Sequence, residues 1–310
     1  MYEQVKEERY GMQDNEPQLV SAVVINLNGS DLLPYAIISL QKQHYDRLDI
    51  IVVDNGSTDG SQDMLRADFP DVCLVENQKN LGFGGANNIG IEHALRNGAR
   101  YVFLLNYDAT IREDCVSRMV ETMEKNGPAI IGAKIYYHEP PDRIWSAGGT
   151  VTLWSGRIAH RGIRKLDEDR YNRRMHVDYV TACTMLIHRS VIETIGYFDD
   201  VYFPSYCEDV DLCRRADLSG FPILYEPEAV AWHRVSSHSG GGITALKVRL
   251  RVRNEFIVFK RYAHWYNWIT IPVCTSARFM MFTVRWLLSG QWKLLAAGFR
   301  GFLSLFRTET

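Results

Sequence analysis

An α/β fold with a mostly parallel sheet is expected from three features of the chain. Between Leu19 and Thr110, β-rich apolar runs alternate three times with helix-patterned segments. Each of those runs ends in polar residues, as strands do when they deliver side chains to the edge of a sheet. The composition, 310 residues of which 46% are hydrophobic and 23% charged, is that of a globular chain able to bury a large core.

The order of elements follows from local pattern. LVSAVVINLN reads as the first strand and leads into the turn Gly29-Ser30-Asp31. Leu32, Leu33, Ala36, Ile37 and Leu40 then fall at helical spacing, with Asp31 in position to cap the helix. DIIVVDNGSTDG is the second strand with its turn, residues 61–67 a second helix and VCLVEN a short third strand. NLGFGGANN is expected to be a loop that opens a helix, and YVFLLNYDA the next strand. A helix over 113–127 follows. From 129 to about 180 the pattern breaks into short β stretches and a charged loop, RKLDEDRYNRR. VDYVTACTMLIHR is a strand and ETIGYFDD a turn. EDVDLCRRADLSG is a short helix closed by Gly220, and PILYEPEAVAWHR is extended. SSHSGGG (236–242) reads as a hinge.

Several chemistries are excluded. The six cysteines contain no CxxC pair, so neither a zinc site nor a disulfide framework is expected, and the compartment is reducing. The first eighteen residues carry no apolar core of a signal peptide, and no run of eighteen uncharged apolar residues occurs. VVDNGSTDG lacks the ligand spacing of a calcium loop. In GFGGANNIG, a dinucleotide fingerprint would need glycine at 87, where Asn87 stands.

The remaining candidates each carry a plain structural alternative. Asp108 ends an apolar run beside Asn106, where it can hold a divalent cation or merely cap a helix. Asp54 can accept hydrogen bonds from a nucleoside or shape its own turn. The glycines at 82, 84 and 85 can admit a phosphate to a helix N-terminus or simply flex. Glu208, Asp209 and Asp211 can serve as bases or complement a helix dipole. His233 can ligate a metal or pack in the core.

Taken in order, VVINLN, VVDNGSTDG, NLGFGGANN, LLNYDA, YCEDVDLCRR and AWHR resemble the family 2 glycosyltransferases, closest to bacterial rhamnosyltransferase-like members, over about Val20 to Arg234. The resemblance implies a GT-A fold, a Rossmann-like central sheet flanked by helices, and inverting transfer of a hexose such as rhamnose from a nucleotide-diphosphate donor. It implies that Asn26, Leu27, Asn28 and Asp54 line the nucleoside, with Gly82, Asn87, Asn106 and Tyr107 completing the donor site. Asp108 and His233 would hold Mg²⁺ or Mn²⁺, Asp209 would be the catalytic base, and Glu208 would help bind the acceptor. Two residues depart from the family pattern: Tyr107 stands where a small residue, proline or acid is usual, and Ala182 where glycine is common.

Residues 1–18 are read as a polar leader, 19–240 as the catalytic domain (donor half about 19–110, acceptor half about 111–240), and 241–310 as a basic helical tail. That tail holds eleven Lys or Arg against two acidic residues, while the remainder is net acidic. Arg278, Arg285, Lys293, Arg300 and Arg307 recur at steps of seven or eight, which on one helix would form a basic stripe. With Trp and Phe between them, residues 264–310 are expected to lie on an anionic membrane surface, the alternative being packing on the domain or a second copy in a homo-oligomer. Nucleic acid is not expected, because it would leave the apolar face without a partner. The expectation is a glycosyltransferase on the inner face of the cell membrane, using dTDP-rhamnose or a UDP-sugar and a lipid-linked glycan acceptor. The rivals are a sugar nucleotidyltransferase, disfavoured because VVINLNGSD has no basic residue, and an inactive sugar-nucleotide scaffold or sensor.

Overall fold

The computed structural model describes residues 17–235 and 243–304. A mixed sheet runs through the centre. Strands β1 (Val20–Asn26), β2 (Leu48–Asp54), β3 (Cys73–Glu76) and β4 (Tyr101–Asn106) pair in parallel in the order β3-β2-β1-β4. Helices α1 (Leu33–Gln41), α2 (Ser61–Asp68) and α3 (Gly82–Arg96) connect them, and the short strand β5 (Ala109–Ile111) and helix α4 (Cys115–Asn126) follow. Alternation splits the apolar side chains of β1 between two cores: Val23 and Ile25 face one, Val20, Ala22 and Val24 the other.

The sheet continues beyond β4 through strands that were hardest to read. Strand β6 (Ile130–Tyr137) is followed by β7 (Ile144–Ser146), the hairpin β8 (Gly149–Thr152) and β9 (Arg157–His160), and β10 (Met175–His176). Strand β11 (Thr184–His188) lies antiparallel to both β4 and β6. Helices α5 (Arg189–Ile195) and α6 (Glu208–Leu218) precede β12 (Ile223–His233), which pairs in parallel with β6 and antiparallel with β5. Three further helices complete the chain: α7 (Ala245–Tyr262), α8 (Asn267–Leu288) and α9 (Trp292–Leu303).

Local expectations need four corrections. Asp31 does not cap α1: Leu32 holds the cap position without a side-chain bond, and Pro34 in the first turn sets the start. The glycines of GFGGANN lie inside the first turns of α3 rather than in a loop. The ETIG portion of the expected turn is partly helical, closing α5 at Ile195. The basic stripe is broken: α8 ends at Leu288, Gly290 takes a positive φ of 68°, and α9 begins at Trp292. Arg278 and Arg285 therefore sit on one helix and Lys293 and Arg300 on another, while Arg307 and the 236–242 hinge lie outside the described residues.

The tail packs on the sheet's own core. Val258, Phe259 and Ile271 share a buried cluster with Val23 of β1 and Leu104 of β4. Gly156 lets the tail approach closely, since a Cβ there would stand 2.9 Å from Thr275 and 3.2 Å from Ile271. Arg278 donates to the Gly156 carbonyl, so its cation turns toward the protein.

Candidate active site

In a sheet ordered β3-β2-β1-β4 all four strands are parallel, but the order in which they are added reverses between β1 and β4, and a crevice opens at their carboxyl ends. The strand tips place the expected residues there. Asn26 ends β1, Asp54 ends β2 in register with it, and Asn106 ends β4 opposite Ile25.

Asp54 is 1% exposed, and both its oxygens are engaged. Oδ1 accepts from Asn26 Nδ2 at 2.9 Å, while Oδ2 accepts from the Ser57 backbone at 3.0 Å and Gln62 Nε2 at 2.9 Å. In this arrangement it holds the 55–62 turn. Leu27 is partly buried. Asn28, at a positive φ of 53°, accepts from the Thr58 backbone through its own side-chain oxygen. Tyr107 closes this wall: its ring fills the space beside Gly29, where a Cβ would come within 2.6 Å of it.

Asp108 and His233 meet across the β5–β12 edge. Ala109 pairs with His233, and Arg234 donates its backbone N–H to the Asp108 carbonyl at 2.9 Å. Asp108 Oδ1 stands 3.0 Å from His233 Nε2. Ring packing by Trp145, edge-on at 4.5 Å, fixes the imidazole plane. Burial alone would lower the pKa of His233, but the neighbouring Cys183 and the Asp108 carboxylate override it and push it up to about 10. Two ligands of an octahedral Mg²⁺ at about 2.1 Å stand about 3 Å apart, so the pair has the spacing of adjacent metal ligands. Among the described residues no group of three or more His, Cys, Asp or Glu gathers into a metal cage, so the rest of a coordination shell would have to come from elsewhere.

The acidic pair opens helix α6. Glu208 is 6% exposed, its Oε2 has no hydrogen-bond partner, and burial followed by the Asp209 charge holds its carboxyl well above the usual carboxylate range. Asp209 is also raised by burial, opposed by hydrogen bonds from Val210, Ala182 and Thr181. Its Oδ1 accepts from the Val210 backbone at 2.9 Å and its Oδ2 from the Ala182 backbone at 3.4 Å. Asp211, by contrast, is fully buried and bonded to Tyr202, Arg215, Arg261 and Tyr262, so it serves the frame.

The turn at 181–183 ties the two halves together. Ala182 N–H reaches Asp209, the Cys183 carbonyl accepts from Asn106 N–H at 3.0 Å, and Cys183 borders His233. This turn thus links the tip of β4, the His233 side of the Asp108–His233 pair and the acidic pair.

Two donor-site expectations are corrected. Gly82 needs its small size and its φ of 76° because Phe203 and Pro204 occupy the space a Cβ would take, at 2.8 and 2.9 Å. The Phe83 N–H at the helix N-terminus is satisfied by the Pro204 carbonyl at 2.7 Å, which leaves that donor unavailable to a phosphate. Asn87 is 2% exposed and donates its amide back to the Phe83 carbonyl, so it does not face the crevice.

The profile of Glycosyl transferase family 2 matches residues 21–196, more than half of the chain. The chain belongs to that family. It is 26% identical over 253 residues to the uncharacterized protein y4gI of Sinorhizobium fredii, covering 78% of this chain but only 27% of that protein. It is 25% identical over 235 residues to the low-salt glycan biosynthesis hexosyltransferase Agl10 of Haloferax volcanii, with 74% of each chain covered. The fold is the GT-A fold. The mannosyltransferase PcManGT of Pyrobaculum calidifontis, solved in complex with GDP-Man and Mn²⁺, superposes with a TM-score of 0.61 at 15% identity, covering all of this chain and 94% of its own. The family profile ends before Glu208, Asp209 and His233, so its match does not reach those three residues.

Proposed function

We propose that this family 2 protein is an inverting glycosyltransferase that moves one hexosyl unit from a nucleoside-diphosphate sugar to a hydroxyl acceptor. The observation that supports the reading is the 181–183 turn, whose Ala182 N–H donates to Asp209, whose Cys183 carbonyl accepts from Asn106 at the tip of β4, and whose Cys183 neighbours His233 of the Asp108–His233 pair. Asp108 and His233 would hold Mg²⁺ or Mn²⁺, whose charge offsets that developing on the departing diphosphate. Asn26, Leu27, Asn28 and Tyr107 would line the nucleoside, with Asn106 beside the diphosphate.

Asp209 takes the proton of the acceptor hydroxyl as its oxygen attacks the anomeric carbon. The bond from that carbon to the diphosphate oxygen breaks with the electron pair leaving on the nucleoside diphosphate, and configuration inverts. Burial and the Asp209 charge favour the protonated form of Glu208. It can donate a hydrogen bond to the acceptor without adding a second charge beside Asp209. The donor is dTDP-rhamnose or a UDP-sugar, and the acceptor a lipid-linked glycan.

A lipid-borne acceptor fits the outer face of α8. Ile269, Val273, Met280, Val284 and Leu287 recur at steps of four, seven, four and three, and all are exposed. Arg285 elsewhere on α8 and Lys293 and Arg300 on α9 are also exposed, so the tail offers an anionic bilayer surface cations as well as an apolar stripe. Among the described residues no helix is long and apolar enough to cross a membrane.

Calorimetric titration with UDP, dTDP and GDP, with and without Mn²⁺, tests the donor site. Metal-dependent binding of one of them is the expected result. Asp209→Asn should then keep that affinity while kcat falls about 10³-fold. Binding with no turnover in the parent protein would favour the sensor reading.

A further inference from the structure

Residues 202–207 connect the donor side of the site to its acidic pair, and their backbone is held in an unusual shape. Tyr206 and Cys207 are consecutive and both have positive φ, 84° and 68°, a region that residues with a side chain rarely occupy. Glu208 and Asp209 follow at once as the first turn of α6, so the direction of that helix is set by this strained pair.

The residue that holds the strain lies in the tail. Asn254 of α7 is fully buried, and its Nδ2 faces three carbonyls of the loop: Tyr202 at 3.2 Å, Ser205 at 2.9 Å and Tyr206 at 2.8 Å. Its neighbour Arg253 donates to the Phe203 carbonyl at 3.1 Å and to Asn254 Oδ1 at 3.2 Å. Strained backbone persists where its surroundings over-determine it, and this amide is what does so here. The same loop touches α3, because Pro204 accepts from Phe83 and fills the space above Gly82. Outside its own helix turn Asp209 is held by the Thr181 side chain and by a long contact to the Ala182 backbone.

We propose that Asn254 is a positioning residue for Asp209: the amide clamps the 202–206 carbonyls and so aims the first turn of α6 at the acceptor hydroxyl. This rests on the reading of Asp209 as the base. Arg261 and Tyr262, farther along α7, grip Asp211 in the first turn of α6, so α7 holds the start of that helix at one point and, through Asn254, the loop that enters it at another. A positional error near 1 Å at a reacting group costs about 10²-fold in rate.

The test compares the full-length protein with Asn254→Asp, which keeps the shape but presents oxygens to the three carbonyls. Backbone hydrogen exchange over 205–210 and steady-state kinetics are read together. Exchange in that segment should speed up while β1 and β4 stay protected. The value of kcat should fall about 10²-fold with the donor KM changed less than about threefold. Unchanged kcat, or a loss confined to donor KM, overturns the proposal. If Asn254→Asp does not fold, Asn254→Ser, which retains one donor, is read by the same criteria. If the parent protein transfers no sugar but exchange responds as expected, the clamp stands and it is the assignment of Asp209 that falls.

Discussion

Asp108 Oδ1 and His233 Nε2 stand 3.0 Å apart, brought together by the antiparallel pairing of β5 with the last residues of β12. Each is rigidly placed by backbone hydrogen bonds, so the pair is organised before any ligand arrives. A divalent cation between them must displace the proton that His233 holds. Mn²⁺ binding should therefore release protons and strengthen as pH rises toward about 10. Asp108→Asn should abolish Mn²⁺-dependent nucleotide binding and return the His233 titration toward its ordinary range. Calorimetry in buffers of different ionisation enthalpy and histidine NMR read the two effects.

Glu208 gives a stability prediction with a definite sign. Its folded pKa lies above its unfolded value, so the folded state binds the extra proton between the two. Stability from this group is full below the unfolded pKa, near 4.5, and declines as pH rises toward the folded value. Glu208→Gln should flatten that decline and raise Tm at pH 8 relative to the parent, with little difference at pH 4. Thermal melts across that range check it.

Asp54 separates two roles by a substitution that keeps its shape. Asp54→Asn places an amide where Ser57, Gln62 and Asn26 all donate, so at least one donor loses its acceptor. The expected cost is about 1–3 kcal/mol in denaturant unfolding, with nucleotide affinity reduced through the distorted 55–62 turn. Lost nucleotide binding at unchanged stability would instead mean that Asp54 reads the base directly.

The exposed stripe on α8 predicts bilayer binding. The double substitution Val273→Glu and Met280→Glu should remove co-sedimentation with vesicles containing anionic lipid and leave Tm nearly unchanged, since both side chains face outward. Binding retained by the variant would point to a protein partner or a second copy on that face.

The strand tips were legible in the sequence because the apolar runs through Ile25, Val53 and Leu105 end on polar residues, as strands do at the edge of a sheet. The glycines of α3 were legible as necessary but not for the right reason. A phosphate and the Phe203–Pro204 loop demand the same small residue, and only the structure shows which one is there. Asn87 misled in the same way, since an asparagine in a glycine-rich stretch looks available until its amide is seen bonded to its own helix. The tail's basic period was real as spacing but not as a surface, because Ser289 and Gly290 break the helix that would have aligned it. Asn254 left no signal at all. Its partners are carbonyls, which every residue carries, and its burial depends on a loop far away in the chain.

That contact also bears on how such a protein can be cut and rejoined. A fragment ending at Val235 would contain the whole described sheet, both metal-ligand candidates and the acidic pair, and would look complete. It would lack the amide that holds Tyr206 and Cys207 in place. A chimera that took its tail from a relative would need that relative's 202–206 loop as well, so the two segments form one inheritable part although the sheet's last strand lies between them.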